Sequence, residues 1–153
     1  MMRVPLLLLV VLALTLAGCT LERNARPDAA VPDDLRQVEV LAMDAYRRGD
    51  WAEAERFYTE LGRRVPAEAE VWFRLGNIHA RLERPEEAIA AYREALVRDP
   101  ESAKAWYNMG VLQVRQAMNS FAQMQGHVGP EDPLHDQSMR VYEGLKALVR
   151  GGE

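Results

Sequence analysis

The sequence AEVWFRLGNIHARLERPEEAIAAYREALVRDP, residues 69–100, contains the pattern from which the fold can be predicted. Its first part places apolar residues at positions 71, 72, 75 and 78, the one-face spacing of an amphipathic helix, and this predicts a helix over residues 69–81. Pro85 opens a second helix, with glutamates in the first turn where carboxylates stabilise the positive end of the helix dipole. Pro100 ends that helix. The stretch therefore predicts two helices joined by a short turn.

The same pattern recurs on both sides of this stretch with a period of 34 residues. Large apolar, small and proline positions all repeat in one register. A unit of this kind buries its apolar face only against its neighbours, so the period predicts an all-α solenoid of stacked helical hairpins. The matched sets are Val38, Trp72 and Trp106; Leu41, Leu75 and Met109; Ala42, Gly76 and Gly110; Ala54, Ala88 and Ala122; Tyr58 and Tyr92; and Pro66 and Pro100.

The middle unit resembles the tetratricopeptide repeat (TPR). Its matching signature positions are Trp72, Leu75, Gly76, Ala88, Tyr92, Ala95 and Pro100. His79 stands where the family usually has tyrosine. The resemblance implies TPR-like repeats near residues 35–68 and 69–102 and a degenerate third unit over residues 103–149.

The third unit departs from the pattern after Gly110. Its apolar positions continue to Met124 as if the first helix were lengthened, and residues 126–133 then form a loop. An amphipathic pattern returns from Leu134 to Val149. We expect this last helix to cap the solenoid, because a terminal repeat has no following neighbour.

The amino end has the organisation of a secretory signal peptide. Arg3 precedes a stretch rich in Leu, Val and Ala over residues 4–17, and Gly18 comes next. At fourteen residues the apolar stretch is shorter than the roughly 20 needed to cross a bilayer as a helix. We therefore expect residues 1–18 to be removed.

The run Leu16-Ala17-Gly18-Cys19 resembles the lipobox of bacterial lipoproteins. The resemblance implies that the Cys19 thiol carries a diacylglyceryl group and that the new amino group is acylated, for instance with palmitate. It also implies an outer-membrane, periplasm-facing location in a Gram-negative cell, since Thr20 stands where an inner-membrane retention signal would have Asp. Residues 20–34, mixed in charge and containing two prolines, are typical of a flexible tether. The alternative is a plain signal peptide with an incidental cysteine nearby.

Composition excludes several classes of function. A formal charge of −4, from 19 basic and 23 acidic residues, lacks the basic surface expected of a nucleic-acid-binding protein. One cysteine and three scattered histidines predict neither a disulfide framework, a metal site nor a cofactor, although His127 and His135 have acidic neighbours in and beside the 126–133 loop. No phosphate loop or nucleophile elbow is present, so we expect neither an enzyme nor a small-molecule substrate.

In the family that the repeats resemble, the first helix of each repeat lines a concave groove. Aromatic, amide and arginine side chains on such a surface suit an extended peptide or a partner helix. Phe73 is equally compatible with packing against a neighbouring helix, and it occupies the place of a lysine that clamps a terminal carboxylate in some relatives. The groove residues that the resemblance implies are Tyr46, Arg47, Phe73, Arg74, Asn77, Arg81, Lys104, Tyr107, Asn108 and Arg115.

Together these patterns predict a lipid-anchored adaptor that binds a protein partner in the cell envelope, such as an assembly factor for a pilus, secretion or export machine. This last step is an analogy with repeat lipoproteins, since the repeat does not identify its partner. The alternative is a recruiter or regulator of cell-wall enzymes. An enzyme, and self-association through uncapped repeat faces, remain further possibilities.

Overall fold

A computed structural model describes residues 30–150. Within that range the chain forms six helices and no strands. The helices are α1 (Leu35–Arg48), α2 (Trp51–Arg64), α3 (Ala69–Arg81), α4 (Pro85–Arg98), α5 (Ala103–Gln125) and α6 (Pro133–Arg150). The predicted signal peptide, Cys19 and most of the predicted tether lie outside the described residues. None of the helices within residues 30–150 is both long and apolar enough to cross a membrane.

The first hairpin, α1 and α2, begins and turns on short polar signals. The Asp34 side chain caps α1 by accepting a hydrogen bond from the Arg36 backbone N–H at 3.0 Å. Gly49 ends α1 with φ of 73°, a left-handed conformation that glycine adopts without steric cost. Asp50 then caps α2 through the Glu53 backbone N–H at 3.2 Å. A two-residue turn is therefore enough to reverse the chain.

The second hairpin, α3 and α4, has the bounds that the sequence predicts. Helix α3 covers Ala69–Arg81, and Pro85 is the first residue of α4. The two helices approach closely at Gly76. A Cβ placed there would overlap the ring of Tyr92, which is itself only 1% exposed. Glycine at position 76 thus makes room for the tyrosine of the paired helix.

The hairpins stack in chain order, with α3 against α2 and α5 against α4. Two apolar clusters fill the spaces between them. One joins the first hairpin to the second and includes Val38, Ala54 and Ile78, all 0% exposed. The other joins the second hairpin to α5 around Tyr92 and Met109. This arrangement confirms the all-α helical solenoid.

The third unit has the predicted long first helix. Helix α5 contains 23 residues, against 13 for α3, and α6 follows after a loop and packs along α5. Although α6 covers one flank of α5, large apolar side chains remain exposed at this end: Trp106 is 53%, Tyr107 63% and Leu148 72% exposed. The terminal unit therefore ends in an apolar surface as well as a helix.

Residues 31–34, which we assigned to the tether, lie against the repeats. Val31 packs on the first apolar cluster. The Arg64 guanidinium donates hydrogen bonds to the backbone carbonyls of Pro32 and Asp33, at 3.0 and 2.7 Å. Because these contacts join the segment to α2, this part of the predicted tether belongs to the folded domain.

Candidate functional site

The first helices of the three units line an open groove of about 370 Å³. Helix α1 contributes one lining residue, α3 and α5 contribute most of the others, and α4 contributes Tyr92 at the floor. The structure brings together six of the ten predicted groove residues. The lining residues are Tyr46, Asn77, Ala80, Arg81, Tyr92, Tyr107, Asn108, Val111, Leu112 and Arg115.

A hydrogen-bond network connects the three units along the floor of this groove. The Asn77 Nδ2 donates to the Tyr46 hydroxyl at 3.2 Å. The Asn77 Oδ1 accepts from the Tyr92 hydroxyl at 2.8 Å and from the Asn108 Nδ2 at 3.0 Å. Burial raises the pKa of Tyr92, so its phenol keeps the proton that it donates. Asn77 is thus the hub that fixes the orientation of its three neighbours.

Two exposed arginines, Arg81 on α3 and Arg115 on α5, line the groove. The Arg81 guanidinium lies 5.8 Å from the centre of the Trp51 ring. Among the described residues neither arginine forms an ion pair with a carboxylate. Their charges therefore face the groove without a compensating anion, although the chain as a whole is acidic.

Arg74 and Lys104, also predicted for the groove, share one carboxylate at its edge. Glu70 accepts from the Arg74 Nε at 2.7 Å and from the Lys104 Nζ at 2.5 Å. Arg74 also lies 4.7 Å from the centre of the Tyr46 ring, and Lys104 lies 4.4 Å from the centre of the Phe73 ring. Since Glu70 balances one of these two positive charges, each cation contributes less to the local potential than Arg81 or Arg115 does.

Phe73 and Arg47 lie outside the groove lining. Phe73 is 8% exposed, and its ring centre lies 5.9 Å from that of Tyr92 in the cluster between the second hairpin and α5. Phe73 therefore packs against neighbouring helices, which is one of the two roles that the sequence allowed. Arg47 is exposed and pairs with Asp44 at 3.2 Å within its own helix.

Tyr92, at the floor, is a lining residue outside the ten predicted ones. Its ring packs in the apolar cluster between the second hairpin and α5, and its hydroxyl also reaches Asn77. The sequence did contain a signal for this hydrogen bond, because position 92 is tyrosine and not phenylalanine. A buried tyrosine hydroxyl needs a hydrogen-bond partner, which pure packing does not.

A second, apolar groove of about 400 Å³ lies between α5 and α6. It includes the exposed rings of Trp106 and Tyr107. The lining residues are Trp106, Tyr107, Gly110, Val111, Val114, Arg115, Leu148 and Val149.

His79 lies in a charged cluster on another side of the domain. Its Nδ1 is 3.6 Å from Glu55 of α2 and 3.7 Å from Glu87 of α4. Arg84 pairs with both glutamates, at 2.5 and 3.3 Å. Burial, and then the charge of Arg84, lower the pKa of His79, while the two glutamates oppose that shift. The lowered pKa favours the neutral form of the imidazole.

The comparisons with known proteins agree with this architecture. The sequence model of the tetratricopeptide repeat matches residues 40–103 and 81–117. No curated protein shows significant similarity to the chain. The matched residues together span all or part of helices α1 to α5 and so include the helices that form the concave groove. The chain therefore belongs to the tetratricopeptide repeat family.

Proposed function

We propose that the protein is an adaptor whose concave groove binds an acidic, extended segment of a protein partner. TPR domains in general bind protein partners. The observation that carries the specific proposal is the pair of arginines, Arg81 and Arg115, which line the groove without a carboxylate partner among the described residues. A carboxylate of the partner would form charge-assisted hydrogen bonds with their guanidinium groups.

The rest of the groove suits an extended backbone. Tyr107 is 63% exposed and offers a flat ring for a side chain of the partner. The Asn108 Nδ2 is occupied by Asn77, which leaves its Oδ1 to accept a backbone N–H. Because the network through Asn77 already holds the Asn108 side chain, little conformational entropy is lost at Asn108 when a ligand binds.

We further propose that the adaptor is held at a cell-envelope membrane through lipid on Cys19. The support is the lipobox-like run that ends at Cys19, the only cysteine of the sequence, and the short apolar stretch at the amino end that leads into this run. Two or more acyl chains bind a membrane stably, whereas one is marginal. The partner class that we favour is a component of a pilus, secretion or export machine, and the alternative is a cell-wall enzyme that the adaptor recruits.

A photo-crosslinking amino acid at position 107 in living cells tests the groove. The matched control places the same group at position 93, an exposed position on α4 that does not line the groove. We expect a partner to be captured from position 107 alone, and the captured peptide to be acidic. A background carrying Arg81→Gln and Arg115→Gln should reduce the yield. Equal capture from both positions, or none from position 107, would exclude the groove as the binding site.

The identity of the captured protein separates the two partner classes. The anchor is tested independently by Cys19→Ser and by metabolic labelling with a fatty acid. We expect the label and the membrane association to be lost together in this variant. A protein that stays with the membrane after Cys19→Ser would contradict the lipid anchor without affecting the groove.

A further inference from the structure

His79 departs from the TPR signature, and its surroundings differ from those of a packing residue. The Nδ1 is buried and has no hydrogen-bond partner. It points toward Glu55 Oε1 at 3.6 Å and Glu87 Oε2 at 3.7 Å, separations too long for hydrogen bonds. A buried polar atom without a partner is costly, so the arrangement calls for a ligand between these three groups.

The two distances from His79 Nδ1 are close to the spacing of ligand atoms around one metal ion. With Zn–N and Zn–O bonds of about 2.1 Å and a tetrahedral angle, two ligand atoms are separated by about 3.4 Å. The two distances from His79 exceed that value by only a few tenths of an ångström, and all three atoms lie within 4.8 Å of one another. Among the described residues this is the one group of three such side chains that converges in this way.

We propose that Glu55, His79 and Glu87 bind a divalent transition-metal ion, with Zn²⁺ as the best match. One imidazole and two carboxylates form a nitrogen and oxygen donor set that Zn²⁺ accepts, and the two carboxylates balance its charge. The side chain of Glu87 is 53% exposed, so the fourth position faces solvent and is filled by water.

Arg84 competes with the metal for the same carboxylates. Its Nη2 lies 2.5 Å from Glu55 Oε1 and its Nη1 lies 3.3 Å from Glu87 Oε2. With 34% of its side chain exposed, Arg84 has room to turn outward when a metal ion binds. The guanidinium thus balances one of the two negative charges when metal is scarce and lowers the affinity of the site when metal is present.

The ion would join two repeats. Glu55 belongs to α2 of the first hairpin, whereas His79 and Glu87 belong to α3 and α4 of the second. A ligand that binds only the folded chain stabilises it by mass action, so metal should raise the melting temperature. The site would make the stacking of the first two hairpins dependent on metal concentration.

The test is calorimetric titration of the full chain in detergent with Zn²⁺, after removal of metal by a chelator, together with Co²⁺ absorption to report tetrahedral coordination. We expect one ion per chain. His79→Gln should weaken binding by at least about 100-fold, more than the loss of an outer-shell partner costs. His135→Gln is the matched control, because that histidine pairs with Asp136 outside the group of Glu55, His79 and Glu87, and the substitution should leave the affinity unchanged. Zn²⁺ binding with unchanged affinity by the Cys19→Ser variant shows that the Cys19 thiol is not a ligand.

Arg84→Gln gives the sharper test, since it keeps all three ligands and removes the competing cation. We expect affinity to rise by about 10-fold or more, the size of outer-shell effects. If His79 had only a structural role, Arg84→Gln would not raise the affinity for metal. The proposal is wrong if the wild-type chain binds no ion, if binding survives His79→Gln, or if Arg84→Gln leaves the affinity unchanged. Circular dichroism in the presence of chelator checks that each variant is folded.

Discussion

Phe73 and Tyr107 occupy the same position in consecutive repeats, 34 residues apart, yet Phe73 is 8% exposed and Tyr107 is 63% exposed. The difference comes from the neighbour on the C-terminal side of each unit. Helix α5 covers Phe73, whereas no described repeat comes after α5 and α6. The last unit therefore presents, as exposed surface, the aromatic position that an internal unit uses for packing.

Gly76 and Gly110 form a matched pair for testing close helix packing. A methyl group at position 76 would overlap the buried Tyr92 ring, whereas a Cβ at position 110 has no atom within 4 Å. We expect Gly76→Ala to destabilise the fold by about 1–2 kcal/mol through overpacking. Gly110→Ala should stabilise it by up to about 1 kcal/mol, because alanine is the better helix former. Urea unfolding followed by circular dichroism checks both. Shifts of the two midpoints in the same direction would contradict this explanation.

Trp72 and Trp106 occupy equivalent positions in consecutive repeats but differ in how far the indole is covered. The two indoles donate equivalent hydrogen bonds, to the carbonyls of Pro66 and Pro100 at 3.0 and 2.9 Å. Only Trp72 is covered by a guanidinium, that of Arg98 at 4.7 Å, whereas Trp106 is 53% exposed.

We expect Trp72→Ala to cost about 3 kcal/mol of unfolding free energy and Trp106→Ala about 1 kcal/mol, because the more deeply buried ring packs against more of the protein. Thermal and urea melts of the two variants give the comparison. Equal losses of stability would mean that Trp106 is covered in solution, for instance by self-association, which sedimentation would detect.

His79 should make stability depend on pH. Its pKa in the folded chain is lowered, chiefly by burial and then by Arg84, so below about pH 6.5 the unfolded chain binds more protons than the folded one. The contribution of neutral His79 to the free energy of unfolding is thus complete above about pH 6.5. It is lost as the pH falls toward the pKa that His79 has in the folded chain.

Unfolding free energies measured between pH 5 and 8, with a chelator present, check this prediction. The wild-type chain should lose more stability on acidification than His79→Gln does. His135→Gln serves as the control and should follow the wild-type curve. A pH profile of His79→Gln that is parallel to the wild-type profile would show that His79 does not titrate with folding.

The groove network should behave as one unit centred on Asn77. Asn77→Ala leaves the Tyr92 hydroxyl without its partner at 2.8 Å in a buried position, and we expect a loss of about 1–3 kcal/mol. Tyr92→Phe removes the hydroxyl itself and should cost about 1 kcal/mol. In the double variant the loss of stability should be smaller than the sum of the two single losses, because the same bond is removed once. Strict additivity would show that the bond is not formed in solution.

Local sequence signals determined where most of the helices begin and end. Asp34, Gly49, Asp50 and Pro85 start or stop helices through hydrogen bonds and backbone angles that involve only nearby residues. Sequence patterns of this kind are accordingly sufficient to place helix ends. They failed at residues 31–34, where charge and proline indicate a tether, because the contacts of Val31 and Arg64 connect positions about thirty residues apart.

Helical periodicity and a fixed register of large and small residues are properties of the chain alone, so they were sufficient to predict the repeat and the helices within it. The helices that line the groove were expected from the resemblance to the family. Which equivalent side chains are exposed, as with Phe73 and Tyr107, and which meet, as with Glu55, His79 and Glu87, became apparent only in the folded structure. Burial and convergence depend on neighbours in space from different helices. No pattern within one repeat contains that information.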